Sequence, residues 1–263
     1  MQCSYFNDIS DKWVEEKRAC INPKEKLMAR RIENLFRNKI ETDSNYFTPE
    51  EFAEFLRFKG LARSIAAFLK EYNNKSDVKK VTGALFTSEL IELTFAEAQN
   101  QSSRNKILGI INDHFQHLQQ LKYVGPGVAS ACLALCFPEI CGTADYIVPA
   151  LLHNEYDNLN SKNPLFANQD TAQKIREALL LPVHSSLSAS GARFFATQNY
   201  TIYVQELWNF KQLFSLTHPL RGMEEALWSF GICYIKKNGE NKPLMFKSEP
   251  HPPKGGPFSK DCP

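Results

Sequence analysis

The stretch that decides the fold runs from residue 121 to residue 132 and reads Leu121-Lys122-Tyr123-Val124-Gly125-Pro126-Gly127-Val128-Ala129-Ser130-Ala131-Cys132. Its pattern predicts a helix that ends at Tyr123, a turn on Gly-Pro-Gly, and a second helix that restarts at Val128. Glycine permits positive φ values and close approach of another backbone, and Pro126 fixes its own φ. The restarted helix points unpaired N–H groups outward, which makes an anion site. Such a hairpin can hold a nucleic-acid phosphate without reading a base.

Helical spacing on both sides of this turn predicts the two arms of a hairpin. The first arm carries apolar residues three or four positions apart, namely Ile107, Ile111, Phe115, Leu118 and Leu121. The second arm is the apolar run Val128 to Phe137, which Pro138 stops. No alternating β pattern of any length accompanies them, so the sequence predicts an all-α fold.

Further helices are predicted from start and stop signals along the chain. Thr48-Pro49-Glu50-Glu51 has a capping Thr, a Pro at the first helical position and a Glu two residues later. Gly60 then ends that helix. The remaining predicted helices cover residues 8–40 (one or two helices), 61–72, 76–85, 87–100, 146–152, 170–181, 194–216 and 222–234. The predicted loops cover residues 154–169 and 184–191.

The hairpin and the residues after it resemble the helix-hairpin-helix (HhH-GPD) DNA glycosylase superfamily. Gly125, Gly127 and Ala131 match the hairpin motif, and Thr143-Ala144-Asp145 matches the approach to the family's catalytic aspartate. The resemblance covers residues 107–150. A second, short match is Met223 to Gly231, which is similar to a closing helix of some members.

The resemblance implies a glycosylase-like fold of two helical subdomains that flank a cleft. It implies an enzyme that flips a modified or damaged base out of double-stranded DNA and hydrolyses its N-glycosidic bond. Asp145 would be the catalytic carboxylate, because a negative charge stabilises the positive charge that develops on the sugar. The backbone amides of Gly125, Gly127 and Val128 would hold a phosphate, and Lys122 could pair with the same phosphate.

Two departures from the family pattern limit the predicted chemistry. Members that also cut the strand carry a lysine where this chain has Ala129, so the resemblance implies a monofunctional enzyme. The loop before Asp145 is also shorter than usual in the family. A carboxylate at a helix start is otherwise most often an N-cap, and Lys122 reads equally well as a surface lysine. The alternative is therefore a non-catalytic helix-hairpin-helix protein that binds DNA or another protein.

Charge is unevenly distributed along the 263 residues, whose formal net charge is only +2. Residues 71–160, which contain the hairpin, hold 6 basic and 10 acidic residues, whereas residues 1–70 hold 13 basic and 11 acidic. A polybasic DNA-binding protein is therefore excluded, and any basic surface must come from the flanking thirds. With 43% hydrophobic residues the chain has ample material for a core.

Other residue types that can carry chemistry read as structural. Seven cysteines are an odd number without framework spacing, and Cys132, Cys136 and Cys141 are expected to be small buried hydrophobes. His114 and His117 lie three apart, but no third ligand has recognisable spacing, so both are expected to be solvated histidines, and neither a metal nor another cofactor is predicted. His153 could line the same cleft as Asp145, but a role in the core or on the surface is favoured. Trp208 and Trp228 could stack on an extruded base but are more typical of a core.

The predicted organisation is one glycosylase-like region and a tail. The helical region covers residues 1–235, with the hairpin at 107–137. Residues 236–263 hold six prolines and six lysines, which is typical of a solvated tail that folding does not need. The chain shows no signal peptide and no apolar run near the roughly 18 residues that a membrane span needs. A monomer without membrane contact, located inside the cell in the nucleus or cytoplasm, is expected.

Overall fold

The computed structural model describes residues 9–73, 76–145, 147–148 and 199–237, except for the side chains of 101 and 232–237. Every element longer than one residue in these ranges is an α-helix, which confirms the predicted all-α class. The helices are α1 Asp11–Ala19, α2 Pro23–Glu41, α3 Pro49–Phe58, α4 Ala62–Tyr72, α5 Asp77–Phe86, α6 Phe95–Gln99, α7 Gln101–Leu118, α8 Pro126–Cys136, α9 Tyr200–Leu213 and α10 Leu220–Lys237. Residues 147–148 are also helical. The predictions for residues 149–198 and for the tail beyond 237 lie outside the described residues.

The chain divides into two compact units. One unit consists of residues 23–144 and contains α2 to α8. The other combines residues up to 22 with residues from 145 onward, and its described helices are α1, α9 and α10.

Helix α8 is the centre of the 23–144 unit. All nine residues from Val128 to Cys136 are buried, which fits a helix that is apolar on every side. Helices α2, α3 and α7 pack against it. Phe36 of α2 contacts Phe137 at the end of α8, with ring centroids 5.7 Å apart and planes at 86°. This edge-to-face geometry is the one that aromatic quadrupoles favour.

Two capping boxes fix helix starts in this unit. At α3 the Thr48 hydroxyl accepts the Glu51 amide, and the Glu51 carboxylate accepts the Thr48 amide, as the sequence predicts. Thr94 and Glu97 form the same reciprocal pair at α6. The predicted helix over residues 87–100 is therefore wrong, because the helix begins only after Thr94 and covers five residues. Asn100 caps the next helix, so α7 begins at Gln101, earlier than the predicted first arm.

The second unit is built on the pairing of α1 with α10. Trp13 lies 5.8 Å from Phe230 between ring centroids, and the Arg18 guanidinium donates to the Glu225 carboxylate at 3.0 Å. Asp11 accepts hydrogen bonds from the amide and the hydroxyl of Thr217. Helix α9 packs against α10 through a buried apolar face.

None of the helices in the described ranges combines the length and the apolar character that a membrane span requires.

Candidate functional site

The turn between α7 and α8 starts earlier than the sequence predicts. Helix α7 ends at Leu118, not Tyr123: the amides of Gln120 and Leu121 bond carbonyls three residues back. The Lys122 amide then donates to the Tyr72 hydroxyl at 2.6 Å. The positive φ of the turn belongs to Tyr123, at 72°, which no intrahelical residue adopts. Gly125 has φ −83° and ψ 177°, so the expectation that a glycine of the turn supplies positive φ is wrong.

Helix α8 begins with Gly125 as its N-cap and Pro126 at its first helical position, two residues before the predicted start at Val128. Proline is favoured there because its fixed φ is helical and the missing N–H is not needed. Gly125 offers no side chain to cap the helix. The amides of the first turn are therefore left to the backbone or to a ligand.

Two of the three amides that the sequence singles out have no acceptor within the described part of the chain. These are the N–H groups of Gly125 and Gly127. The Val128 amide, in contrast, donates to the Gly125 carbonyl at 3.0 Å. Gly125 is exposed and Gly127 is half-buried. The turn thus presents two free donors at the positive end of the α8 dipole.

Neither glycine is required by the sterics of the chain itself. A Cβ at Gly125 would meet no atom within 4 Å, and a Cβ at Gly127 would meet only Lys59 Cε, at an ordinary 3.7 Å. Both residues also lack a positive φ. The close approach that two glycines permit is therefore available to a partner outside the chain.

Two lysines flank the turn in different ways. The Lys122 ammonium is exposed and pairs with the Glu71 carboxylate at 3.3 Å. This hydrogen bond raises the pKa of Lys122, so the ammonium stays charged but has a partner. Lys59, from the end of α3, lays its aliphatic stem against Gly127. Sequence reasoning missed Lys59, because nothing in the local pattern around Lys59-Gly60 indicates a contact with a residue so distant in the chain.

Ala129, which stands where strand-cutting members of the family carry a lysine, cannot act as a nucleophile. Ala129 is fully buried and carries no amine. Its neighbour Ser130 is also buried, donates its hydroxyl to the Gly127 carbonyl at 3.1 Å, and accepts the Ala144 amide at 2.9 Å. Ser130 therefore holds the first turn of α8 and the segment that leads to Asp145.

Asp145 belongs to the other unit and makes two kinds of interaction there. Its carboxylate accepts the Ile147 amide at 2.8 Å, which is the local capping role expected of an aspartate before a helix. It also lies near the buried Tyr203 of α9. Burial raises the pKa of Tyr203 well above its usual range, and the negative charges of Glu224 and then Asp145 raise it further.

A half-buried carboxylate, a buried phenol and a second, buried carboxylate therefore share one region of the α9–α10 unit. Glu224 is 4% exposed and Tyr203 is 0% exposed. Electrostatic interactions are strong in such surroundings because the local dielectric is low. Sequence reasoning gave Tyr203 and Glu224 no role, although the Met223–Gly231 match contains Glu224. Asp145 therefore lies near a buried tyrosine of α9 and a buried glutamate of α10.

Among the remaining candidate residues, Trp208 and the three clustered cysteines are buried as the sequence predicts, whereas Trp228 is only half-buried. Trp208 is fully buried in the core, and Cys132, Cys136 and Cys141 are buried and form no disulfide bond within the described residues. Burial raises the pKa of the Cys136 thiol well above its usual range, so it is not a reactive thiolate. The expectation of a solvated histidine is wrong for His114, which is half-buried, stacks on Phe137 and bonds Ser88 through a ring nitrogen at 2.8 Å. His153 lies outside the described residues, and no metal-binding group of three ligands exists within them.

Comparisons of the chain with protein-family models, with curated proteins and with solved structures give no match.

Proposed function

We propose that this chain is a monofunctional DNA glycosylase that releases a modified or damaged base from double-stranded DNA. The observation that carries the proposal is the turn before α8, where the amides of Gly125 and Gly127 have no acceptor in the described part of the chain. At both positions an added Cβ would clash with nothing in the described part of the chain, and φ is not positive, so neither the local packing nor the backbone conformation requires a glycine. A phosphate that approaches the backbone closely accounts for both features.

The positive charge beside the turn supports the same assignment. Lys59 reaches Gly127 from α3, and Lys122 precedes the turn in the chain. Both lysines place positive charge near the amides of Gly125 and Gly127, which would otherwise hold a phosphate through backbone dipoles alone. The surrounding third of the sequence is net acidic. Binding is therefore expected to use a few contacts and to show a shallow salt dependence.

The proposed chemistry uses Asp145 as the carboxylate that faces the sugar. In hydrolysis, water adds to C1′ of the deoxyribose while the C1′–N bond breaks and its electron pair leaves with the base, which takes up a proton. The negative charge of Asp145 stabilises the oxocarbenium-like transition state and accepts the proton of the attacking water. Ala129 supplies no amine for a Schiff base at its position, so the product is an intact strand with an abasic site.

The second candidate function is a non-catalytic helix-hairpin-helix protein that binds DNA or another protein. One observation favours it directly: the Asp145 carboxylate already serves as acceptor for the Ile147 amide. In that case Asp145 is only a helix cap, while the amides of Gly125 and Gly127 still bind a phosphate.

One experiment separates the two functions. The full chain is incubated with a panel of duplexes that each contain one modified or mismatched base, and abasic sites are scored after mild alkaline cleavage. Release of a base from one member of the panel, with the strand intact before alkali, supports the glycosylase. Duplex binding without base release on any member supports the binding protein. Absence of both duplex binding and base release would contradict both DNA functions.

A further inference from the structure

A groove between α2 and α3 is a second candidate binding site, separate from the turn before α8. It has a volume of about 790 Å³ and lies within the 23–144 unit. The α2 residues that line it include Leu27, Arg30, Arg31, Asn34 and Asn38, which recur at three- and four-residue intervals. They therefore form one face of the helix, about 16 Å long at 1.5 Å per residue. The opposite wall consists of Glu50, Glu51 and Glu54 of α3.

The acidic wall of the groove is committed to the chain's own structure. Glu51 closes the capping box of α3 and pairs with the Lys39 ammonium at 2.9 Å. Glu54 pairs with Arg57 one turn further along. Glu50 lies in the first turn of α3, where the helix dipole stabilises a negative charge. These carboxylates are thus largely compensated without a ligand.

The basic wall has no such compensation. Arg30 and Arg31 are exposed, and neither makes an ion pair, a hydrogen bond or a ring contact within the described residues. Lys26 lies four residues before Arg30, an arrangement in which like charges destabilise a helix. A negatively charged partner relieves this repulsion and supplies the missing counter-charge.

The groove also contains apolar surface that a nucleic acid does not use. Leu27 is 69% exposed, the largest exposed fraction among the described exposed hydrophobic residues, and the half-buried Leu35 also lines the groove. A phosphate backbone gains nothing from contact with a leucine side chain. A peptide, in contrast, can place an apolar side chain on Leu27 and direct its acidic side chains to the arginines of α2, away from the carboxylates of α3.

We propose that the α2–α3 groove binds a short amphipathic segment of a protein partner, with a large apolar side chain on Leu27 and acidic side chains on Arg30 and Arg31. The apolar contact supplies affinity, and the two guanidinium groups select acidic sequences through charge-assisted hydrogen bonds. This proposal does not depend on the glycosylase assignment, because none of the residues that line the groove belongs to the turn before α8.

The test is a selection on the full chain from a displayed random library of peptides about 12 residues long, which span about 18 Å as helices. Enriched sequences are synthesised with a fluorophore, and their affinity is measured by anisotropy for three proteins. These are the wild type, the double variant Arg30→Glu/Arg31→Glu, and the control Arg37→Glu. Arg37 is exposed on the same helix α2, makes no interaction within the described residues and does not line the groove.

The proposal expects enriched peptides that combine a leucine, isoleucine or phenylalanine with flanking aspartate or glutamate. Their binding should weaken by about tenfold or more in the double variant and in Leu27→Asp, and remain within about twofold in Arg37→Glu. No enrichment, or equal binding to wild type and double variant, overturns the proposal. So does a loss of duplex DNA affinity in the double variant that Arg37→Glu does not share, since the arginines would then be a DNA contact.

Discussion

The Ser130 hydroxyl accepts the Ala144 amide at 2.9 Å, a buried hydrogen bond between residues 14 positions apart. The same hydroxyl donates to the Gly127 carbonyl at 3.1 Å. One side chain thus ties the turn that presents the free amides to the segment that ends at Ala144. Since Ala144 directly precedes Asp145 in the chain, Ser130 supports both sequence features on which the proposed function rests.

Replacing Ser130 with alanine should destabilise the protein. The Ala144 amide would remain buried without an acceptor, which costs about 1–3 kcal/mol of unfolding free energy. Urea unfolding of Ser130→Ala measures this loss. Ser64→Ala is the matched control, because Ser64 lies in α4 and its hydroxyl makes no hydrogen bond within the described residues. Equal stabilities of the two variants would show that the Ser130 bonds contribute nothing.

Substitutions of Gly127 should separate folding from DNA binding. Gly127→Ala places a Cβ 3.7 Å from Lys59 Cε, an ordinary contact, and reduces the freedom of the unfolded chain. Stability should therefore be unchanged or rise by up to about 1 kcal/mol. Gly127→Val adds bulk at the amide that a phosphate approaches, so duplex affinity at low salt should fall by about tenfold in any sequence context.

The control for Gly127 is Gly109→Ala in α7, where a Cβ would meet no atom within 4 Å. This variant should gain a similar stability and keep the wild-type affinity for duplex DNA. A folded Gly127→Val protein with unchanged DNA affinity would remove the turn from the interface.

Removing the partner of Lys122 should strengthen DNA binding. In Glu71→Gln the Lys122 ammonium loses its carboxylate and can turn to a phosphate, so affinity at low salt should rise by about twofold to fivefold. Glu89→Gln is the matched control, since it frees Lys106 on α7 in the same way and changes the net charge equally. Equal gains in both variants would mean that only net charge matters and that Lys122 has no place in the interface.

The local elements of this fold were predictable because their signals lie close together in the sequence. Thr48, Pro49 and Glu51 are neighbours, and the capping box that they predict is present. The same signal is present at Thr94 and Glu97, so the start of α6 was predictable as well, whereas a start at residue 87 makes the predicted helix too long.

Features that depend on tertiary contacts were not predictable. The Lys122 amide, just after the early end of α7, donates to the hydroxyl of Tyr72, which lies 50 residues earlier in the chain. Tyr123 carries the positive φ although glycines are available nearby. The proximity of Lys59 to Gly127 and the electrostatic interaction of Asp145 with Tyr203 likewise join residues that no spacing rule connects. Sequence therefore named the turn and the carboxylate but not the side chains around them.

Stability should decrease below neutral pH partly through His114. Burial lowers the pKa of His114 from its usual 6.5, and the Asp113 charge opposes this only in part. The unfolded chain then binds a proton that the folded chain does not, so the contribution is present above about pH 6.5 and is lost as pH falls through the folded pKa. His114→Gln should flatten the fall in unfolding free energy between about pH 7.5 and about pH 5.5. If the unfolding free energy of His114→Gln depended on pH as that of the wild type does, burial of His114 would not contribute to the pH dependence.

The final prediction decides what Asp145 does. The asparagine side chain of the Asp145→Asn variant retains an oxygen that can accept the Ile147 amide but lacks the negative charge. Asp145→Ala removes both. If the residue is only a cap, Asp145→Asn should behave as wild type, whereas Asp145→Ala should lose about 0.5–2 kcal/mol of stability. If it is the catalytic carboxylate, Asp145→Asn should keep stability and DNA affinity but abolish base release.

The loss should appear in turnover more than in binding, because the sugar cation exists only in the transition state. Single-turnover base release and duplex affinity, measured on the same preparation, separate the two effects. Borohydride should trap no covalent protein–DNA adduct in the wild type, since the buried Ala129 offers no amine. A trapped adduct with strand cleavage would mean that another amine attacks the sugar. Undiminished base release by Asp145→Asn would reduce Asp145 to a cap and assign the chemistry to another group.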